Sequence, residues 1–211
     1  MIRTSPAARR TRTAVGALLA AAALTACSGG TAHQGAAAVV GGRPISIATV
    51  ESRVAELRTA AAAQPGGPRT ERAGLIRRTV AELVLNQVVA QALADRRITV
   101  SDGEIDQARD AETRMLGGEN ELQRELLLKQ SVPAGDIDAF YRQQLGIHKL
   151  AAAQGQDART AEGDAVVRAA LAEAGTKLRI EVNPRYGHWD PKQVTLTDTV
   201  TEWLPQTAVA A

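Results

Sequence analysis

Few residues of this 211-residue chain have side chains suited to catalysis or metal binding. It contains one cysteine, Cys27, and three histidines, at positions 33, 148 and 188. One thiol can form neither an internal disulfide nor a cysteine-based zinc cage. His148 has no evident serine or cysteine partner, so we interpret it as a packed or surface histidine. The sequence therefore predicts no enzyme activity, no metal site and no cofactor.

An acidic cluster of Asp102, Glu104 and Asp106 could suggest calcium binding. Its spacing lacks the glycine placement and the later glutamate of an EF-hand loop. Ser101 and Glu104 instead have the spacing of a capping box, in which each residue caps the backbone of the other where a helix starts. We therefore predict that Glu104 caps a helix and that the other two acids are solvated.

His188 lies between Tyr186 and Trp189 in the sequence. These three residues form the strongest cluster of polar and aromatic side chains in the chain. Two interpretations are open: an anchor that holds a turn near the end of the fold, which we favour, or a small ligand site. Aromatic residues make up only 2% of the chain, which is too few for a platform that stacks bases.

The first 26 residues are typical of an export signal. They hold four arginines and no acid, and they end in an uncharged run over 14–26. Such a run is too short to span a bilayer, which needs about 20 residues, but it suits the apolar part of a secretory signal. The run ends in Leu24-Thr25-Ala26-Cys27, which resembles the lipobox of bacterial lipoproteins.

The lipobox resemblance implies that the Cys27 thiol carries a diacylglyceryl group and that cleavage makes Cys27 the mature N-terminus. Two acyl chains form a stable membrane anchor. The alternative is an ordinary secretory signal with a chance cysteine. We predict a signal peptide over 1–26, a lipid-anchored tether over 27–35, and a position on the extracytoplasmic face of the bacterial cell membrane. The remaining chain has 21 basic and 23 acidic residues, which argues against nucleic acid as a partner.

Hydrophobic patterning predicts a mainly α-helical fold with a small sheet. A short strand over 36–42 ends in a Gly-Gly turn, and Ser46 caps a helix that reaches about residue 62. Further helices are predicted at 71–95, 102–116, 119–130, 133–153 and 164–174. A strand is predicted over 177–182. We expect the N-terminal and C-terminal strands to pair as a two-stranded sheet that closes the fold, and the tail over 191–211 to be loose.

The helix over 71–95, with Thr70 as its cap, is predicted to lie at the centre of the core. Apolar residues cover much of its circumference, which is typical of a helix buried on several sides. Its main stripe consists of Ile76, Val80, Leu83, Val84, Val88 and Ala92.

Three stretches together carry a family resemblance: AAVVGGRPIS at 37–46, ITVSDGEID at 98–106, and IEVNPRYGHW at 180–189. They resemble the SurA N-terminal domain family, whose relatives include extracytoplasmic foldases of the PrsA and PpiD type. With the lipobox, the chain is similar to lipoproteins that carry this domain. The resemblance implies a helical chaperone domain over 36–190 that holds unfolded or exported polypeptides outside the cytoplasm.

Many relatives also carry a parvulin prolyl-isomerase domain inserted before the final strand. Here only residues 154–175 are available for such an insertion, and they contain no histidine, cysteine or aromatic residue. We therefore expect chaperone-like binding without prolyl-isomerase activity. The alternative is an envelope scaffold or adaptor lipoprotein that binds one specific protein partner.

Apolar residues of the middle helices are the candidates for peptide binding, and we select Leu127, Phe140 and Tyr141. A chaperone gains affinity by burying apolar side chains of many sequences, so it needs apolar surface and no catalytic group. The alternative, which we favour, is that these residues simply pack on the long helix. The wider set also contains Met115, Leu116, Leu126 and Leu128.

Overall fold

The computed structural model describes residues 35–64 and 74–197. The predicted signal peptide, Cys27, the predicted tether before Gly35, the predicted cap Thr70 and the residues beyond 197 lie outside these ranges. The fold starts with a hairpin of β1 (Ala36–Val40) and β2 (Arg43–Ser46). Gly41 and Gly42 form its turn, both with positive φ, which glycine adopts without steric cost.

Six α-helices follow in the described ranges, and none of them is long and apolar enough to cross a membrane. They are α1 (Ile47–Ala62), α2 (Leu75–Asp95), α3 (Asp102–Leu116), α4 (Glu119–Glu125), α5 (Ile137–Ala152) and α6 (Ala161–Leu178). A π-helical turn (Leu126–Gln130) continues α4, and a 3-10 turn (Ala134–Asp136) precedes α5.

The predicted N-terminal caps of α1 and α3 are confirmed. Ser46 Oγ accepts a hydrogen bond from the Thr49 backbone at 2.9 Å. Ser101 Oγ accepts from the Glu104 backbone at 3.4 Å, and Glu104 Oε2 accepts from the Ser101 backbone at 2.9 Å. Each cap joins two residues that are three positions apart in the sequence. Such a cap can therefore be predicted without knowledge of the tertiary structure.

The N-terminal and C-terminal strands pair as predicted, because β3 (Glu181–Val182) lies antiparallel to β1 with Ala38 opposite Val182. The sheet has three strands in the order β2-β1-β3. The additional strand is β2. The sequence predicted only two strands and indicated the residues of β2 as the segment that leaves the turn. After a 3-10 turn (Pro184–Tyr186), β4 (His188–Asp190) and β5 (Thr195–Thr197) form a second antiparallel sheet.

Two sequence-based boundaries near the C-terminus are wrong. Gly175 does not end α6, which continues to Leu178, so the predicted strand over 177–182 shrinks to two residues. A Cβ at Gly175 would lie 3.2 Å from Nε1 of Trp189, so this glycine serves close packing and not a helix end. The tail predicted to be loose from residue 191 contains β5, because Asp190 Oδ1 accepts hydrogen bonds from the backbones of Lys192 and Gln193 and turns the chain.

Two hydrophobic cores hold the described part of the chain together. The larger core surrounds α2, which is central as predicted: Val80, Val84 and Val88 are fully buried. Ile76 is the exception to the predicted stripe, with 41% of its surface exposed. The smaller core joins α3, α4 and the start of α5 and consists of Ile105, Leu122, Leu126, Val132, Ile137 and Tyr141. An ion pair between Arg53 of α1 and Asp136 links the two regions.

Candidate functional site

A groove of about 440 Å³ opens beside the smaller core, between α3, the π-helical turn and α5. Its lining residues follow helical spacing, so each helix presents one continuous face to the groove. Helix α3 contributes Ala108, Ala111, Glu112 and Met115. The end of α4 and the π-helical turn contribute Glu125, Leu126, Lys129 and Gln130. Helix α5 contributes Phe140, Tyr141, Gln144, Leu145 and His148.

The aromatic part of the groove is formed by Phe140 and Tyr141. Their ring centroids are 5.5 Å apart with an interplanar angle of 73°, an edge-to-face contact worth about 0.5–1.5 kcal/mol beyond the area it buries. Tyr141 is buried, whereas Phe140 is only half-buried. The half-buried Phe140 ring therefore gives the groove an accessible apolar surface of fixed position.

A hydrogen bond connects the two helical walls of the groove. The Tyr141 hydroxyl donates to Oε2 of Glu112 at 2.7 Å. Burial of the phenol and its hydrogen bond to Glu112 together raise the pKa of Tyr141 above its ordinary value. The hydroxyl therefore stays protonated as a donor, and Glu112 is held at the groove surface.

The rim of the groove combines an exposed apolar side chain with charged ones. Met115 has 80% of its surface exposed, which is unusual for a large hydrophobic residue. Its flexible thioether side chain can adapt to differently shaped partners. In the π-helical turn, Lys129 forms an ion pair with Glu125 at 2.5 Å. The rim thus offers both an apolar and a charged surface beside the apolar interior.

Ion pairs between α3 and α5 fix the width of the groove. Arg109 of α3 binds Asp138 of α5 at 2.8 Å and Asp106 at 3.2 Å. Burial would lower the pKa of Arg109, but the charges of Asp138, Asp106 and Glu119 outweigh it and raise that pKa. The guanidinium therefore stays charged and keeps both helices in register.

The acidic cluster at the start of α3 also attaches this helix to α5. Lys149 lies 2.6 Å from Oε1 of Glu104, and its ammonium donates to the Thr99 carbonyl at 2.7 Å. The hydrogen bonds from Lys149 and Ser101 lower the pKa of Glu104 to about 2. Asp102 binds Arg142 at 2.7 Å. Glu104 thus caps the helix, as the capping-box interpretation predicts. Asp102 and Asp106, which were predicted only to be solvated, also form ion pairs, with Arg142 and Arg109.

The structure places two of the three selected peptide-binding candidates in the groove. Phe140 and Tyr141 line it, whereas Leu127 packs into the larger core. Leu126 lines the groove in place of Leu127. The π-helical turn explains the exchange, because its wider spacing changes which of three consecutive leucines faces each side.

Several lining residues were not selected from the sequence as peptide-binding candidates. Ala108, Ala111 and Glu112 share one face of α3 with Met115, and Gln144 and His148 extend the face of α5 that Phe140 begins. Spacings of three and four residues from Met115 and Phe140 would have identified them. The signal was weak because alanine and glutamate do not mark an apolar face.

The aromatic cluster near the C-terminus has the packing expected of an anchor. Tyr186 is buried in the larger core, and the Arg185 guanidinium lies 5.2 Å from the centre of its ring. Trp189 packs against Gly175 of α6, while His188 is exposed on β4. These contacts attach the end of the described chain to α6 and to the larger core.

The chain belongs to the SurA-like N-terminal domain family, whose model matches residues 10–122, more than half of the sequence. This family is of the chaperone type, and its domain is not catalytic. The match includes α1, α2 and α3 and ends within α4. It therefore contains the α3 wall of the groove, while the π-helical turn and α5 follow it. No curated protein and no solved structure matches the chain.

Proposed function

We propose that this protein is a lipid-anchored extracytoplasmic lipoprotein that transiently binds unfolded or exported polypeptides in the groove between α3 and α5. The single observation that carries the proposal is this groove, with the half-buried Phe140 ring inside it and the exposed Met115 at its rim, in a domain of a chaperone-type family.

The shape and chemistry of the groove suit short apolar segments of many sequences. Burial of apolar surface contributes about 25 cal/mol per Å² and has no directional requirement. A groove of about 440 Å³ can take a few side chains of a bound segment. Such binding is modest in affinity and reversible, which is what transient holding of a nonnative chain requires.

We further propose that the protein lacks prolyl-isomerase activity. In the described part of the chain, residues 153–160 connect α5 to α6, and α6 leads to β3 through residues 179 and 180. These short links support the expectation that no catalytic domain is inserted before the closing strand.

The proposed lipid anchor at Cys27 leads to a separate prediction. Cys27→Ala removes the only thiol of the chain, so the variant is expected to lose lipid labelling and to leave the membrane fraction. Labelling of cells with a radioactive or clickable fatty acid, followed by fractionation, measures both effects. Lipid labelling that persists in Cys27→Ala would contradict the anchor proposal while leaving the groove proposal intact.

A photo-crosslinking residue at Met115 tests the binding proposal, because this side chain lies exposed at the groove rim. Crosslinks to many exported polypeptides in small amounts are expected from a chaperone. A single stoichiometric partner would favour the adaptor alternative.

A further inference from the structure

The charges of the groove are unbalanced near Tyr141. Lys129 of the π-helical turn is paired with Glu125, and His148 lies seven residues beyond Tyr141, about 10 Å along α5. Glu112 accepts a hydrogen bond from the neutral Tyr141 hydroxyl, and within the described ranges it forms no ion pair. A carboxylate that faces an apolar groove without a cation lacks its preferred partner.

The surroundings of Glu112 strengthen the negative charge at this end of the groove. The charge of Glu119 acts on both Tyr141 and Arg109, and the charge of Arg109 acts on Tyr141 with the opposite sign. Arg109 is already held by Asp106 and Asp138. Glu112, Glu119, Asp106 and Asp138 thus contribute four carboxylates to this region and Arg109 contributes one guanidinium. The excess negative charge attracts a cation from solution.

Both parts of a lysine or arginine side chain, the methylene stem and the charged head, fit this end of the groove. The methylene stem can lie along the apolar lining formed by Phe140 and Leu145, while the charged head reaches the Glu112 carboxylate. Arginine can add a cation–π contact with an aromatic ring. An acidic side chain in the same place would meet repulsion.

We propose that the groove prefers apolar segments that carry a lysine or arginine, with Glu112 as the group that recognises the positive charge. This inference deepens the proposed function and rests on it: the groove must bind polypeptide before it can select among segments. The preference concerns the bound segment, so it predicts a class of client rather than one partner.

The test compares three fluorescent peptides that share one apolar sequence and differ in a central lysine, glutamine or glutamate. The protein, as cells produce it, is held in phosphatidylcholine nanodiscs, whose zwitterionic surface does not attract basic peptides, and empty nanodiscs give the background. Fluorescence anisotropy measures the affinities. We expect the lysine peptide to bind about fivefold more tightly than the glutamine peptide, and the glutamate peptide most weakly.

Glu112→Gln is the decisive variant, because its amide oxygen can still accept the Tyr141 hydrogen bond. The variant should bind the glutamine peptide with the same affinity as the unmodified protein. It should bind the lysine peptide no more tightly than it binds the glutamine peptide. Glu181→Gln is the matched control, since Glu181 is exposed on β3 and does not line the groove. It should keep the full preference for lysine.

The possible results separate this inference from the proposed function. Equal affinity for the lysine and glutamine peptides, or an undiminished lysine preference in Glu112→Gln, overturns the inference and leaves polypeptide binding standing. Failure of all three peptides to bind overturns the proposed function and the inference together. Thermal melting of Glu112→Gln checks that the variant is folded in either case.

Discussion

Phe140→Ala is expected to weaken the binding of an apolar peptide by about tenfold or more, with little change in helical content. Phe140 is the half-buried aromatic residue of the groove, and it contacts Tyr141 edge to face. Truncation to alanine removes the accessible aromatic surface of the groove, which a bound segment can cover. Fluorescence anisotropy with a labelled peptide measures the loss of affinity, and circular dichroism measures the helical content.

Ile76→Ala is the matched control for this prediction. Ile76 is also a large apolar residue with an exposed surface, but it lies on α2 and does not line the groove. We expect its peptide affinity to equal that of the unmodified protein. Equal losses in Phe140→Ala and Ile76→Ala would mean that polypeptides bind to exposed apolar surface in general and not in the groove.

Gly163→Ala is expected to lower the free energy of unfolding by about 3 kcal/mol or more. A Cβ at Gly163 would lie against the carbonyl oxygen of Asp157 and 2.5 Å from its carbonyl carbon. Thr160, the cap of α6, holds the same turn, because its hydroxyl donates to the Asp157 carbonyl at 2.8 Å and accepts from the Gly163 backbone at 3.1 Å. The backbone of Asp157 therefore cannot move away without loss of the cap. Urea unfolding followed by circular dichroism measures the change.

Gly103→Ala provides the opposite expectation with the same chemical change. Gly103 lies in the first turn of α3, and a Cβ there would meet no atom within 4 Å. Because alanine restricts the unfolded chain without strain in the helix, we expect a gain of about 0.4–1 kcal/mol in stability. If Gly163→Ala and Gly103→Ala were both as stable as the unmodified protein, the close packing described for residues 157–163 would be contradicted.

Local signals in the sequence predicted the starts of α1 and α3 well. They did not predict the start of α2, which is Leu75 rather than residue 71, or that of α6, which is Ala161 rather than residue 164. Ser46 and Ser101 cap α1 and α3 because a capping hydrogen bond depends on residues three positions apart. The end of α6 could not be read in the same way. Glycine often ends a helix, so Gly175 was predicted to end α6. In the structure Trp189, fourteen residues later, packs against Gly175, and the helix continues beyond it. A tertiary contact of this kind has no local signature.

The groove was predictable only in part for the same physical reason. Phe140 and Tyr141 were selected because they are apolar residues of a segment with helical spacing, which is a local signal. Leu127 was chosen over Leu126 because nothing in three consecutive leucines indicates a π-helical turn, which sets the side that each one faces. Glu112 was not identified, since a glutamate on a polar helix is ordinarily solvated and its role here depends on Tyr141 of another helix.

Site-specific crosslinking tests the central claim most directly: that the groove between α3 and α5 binds nonnative polypeptides. A photo-crosslinking residue replaces Met115 in one variant and Ile76 in another, both exposed in the structure. After illumination of living cells, mass spectrometry identifies the attached proteins. We predict many exported polypeptides in small amounts from position 115, few from position 76, and a decrease at position 115 when Phe140→Ala is added. Crosslinking from position 115 that is no stronger than from position 76 would contradict the claim.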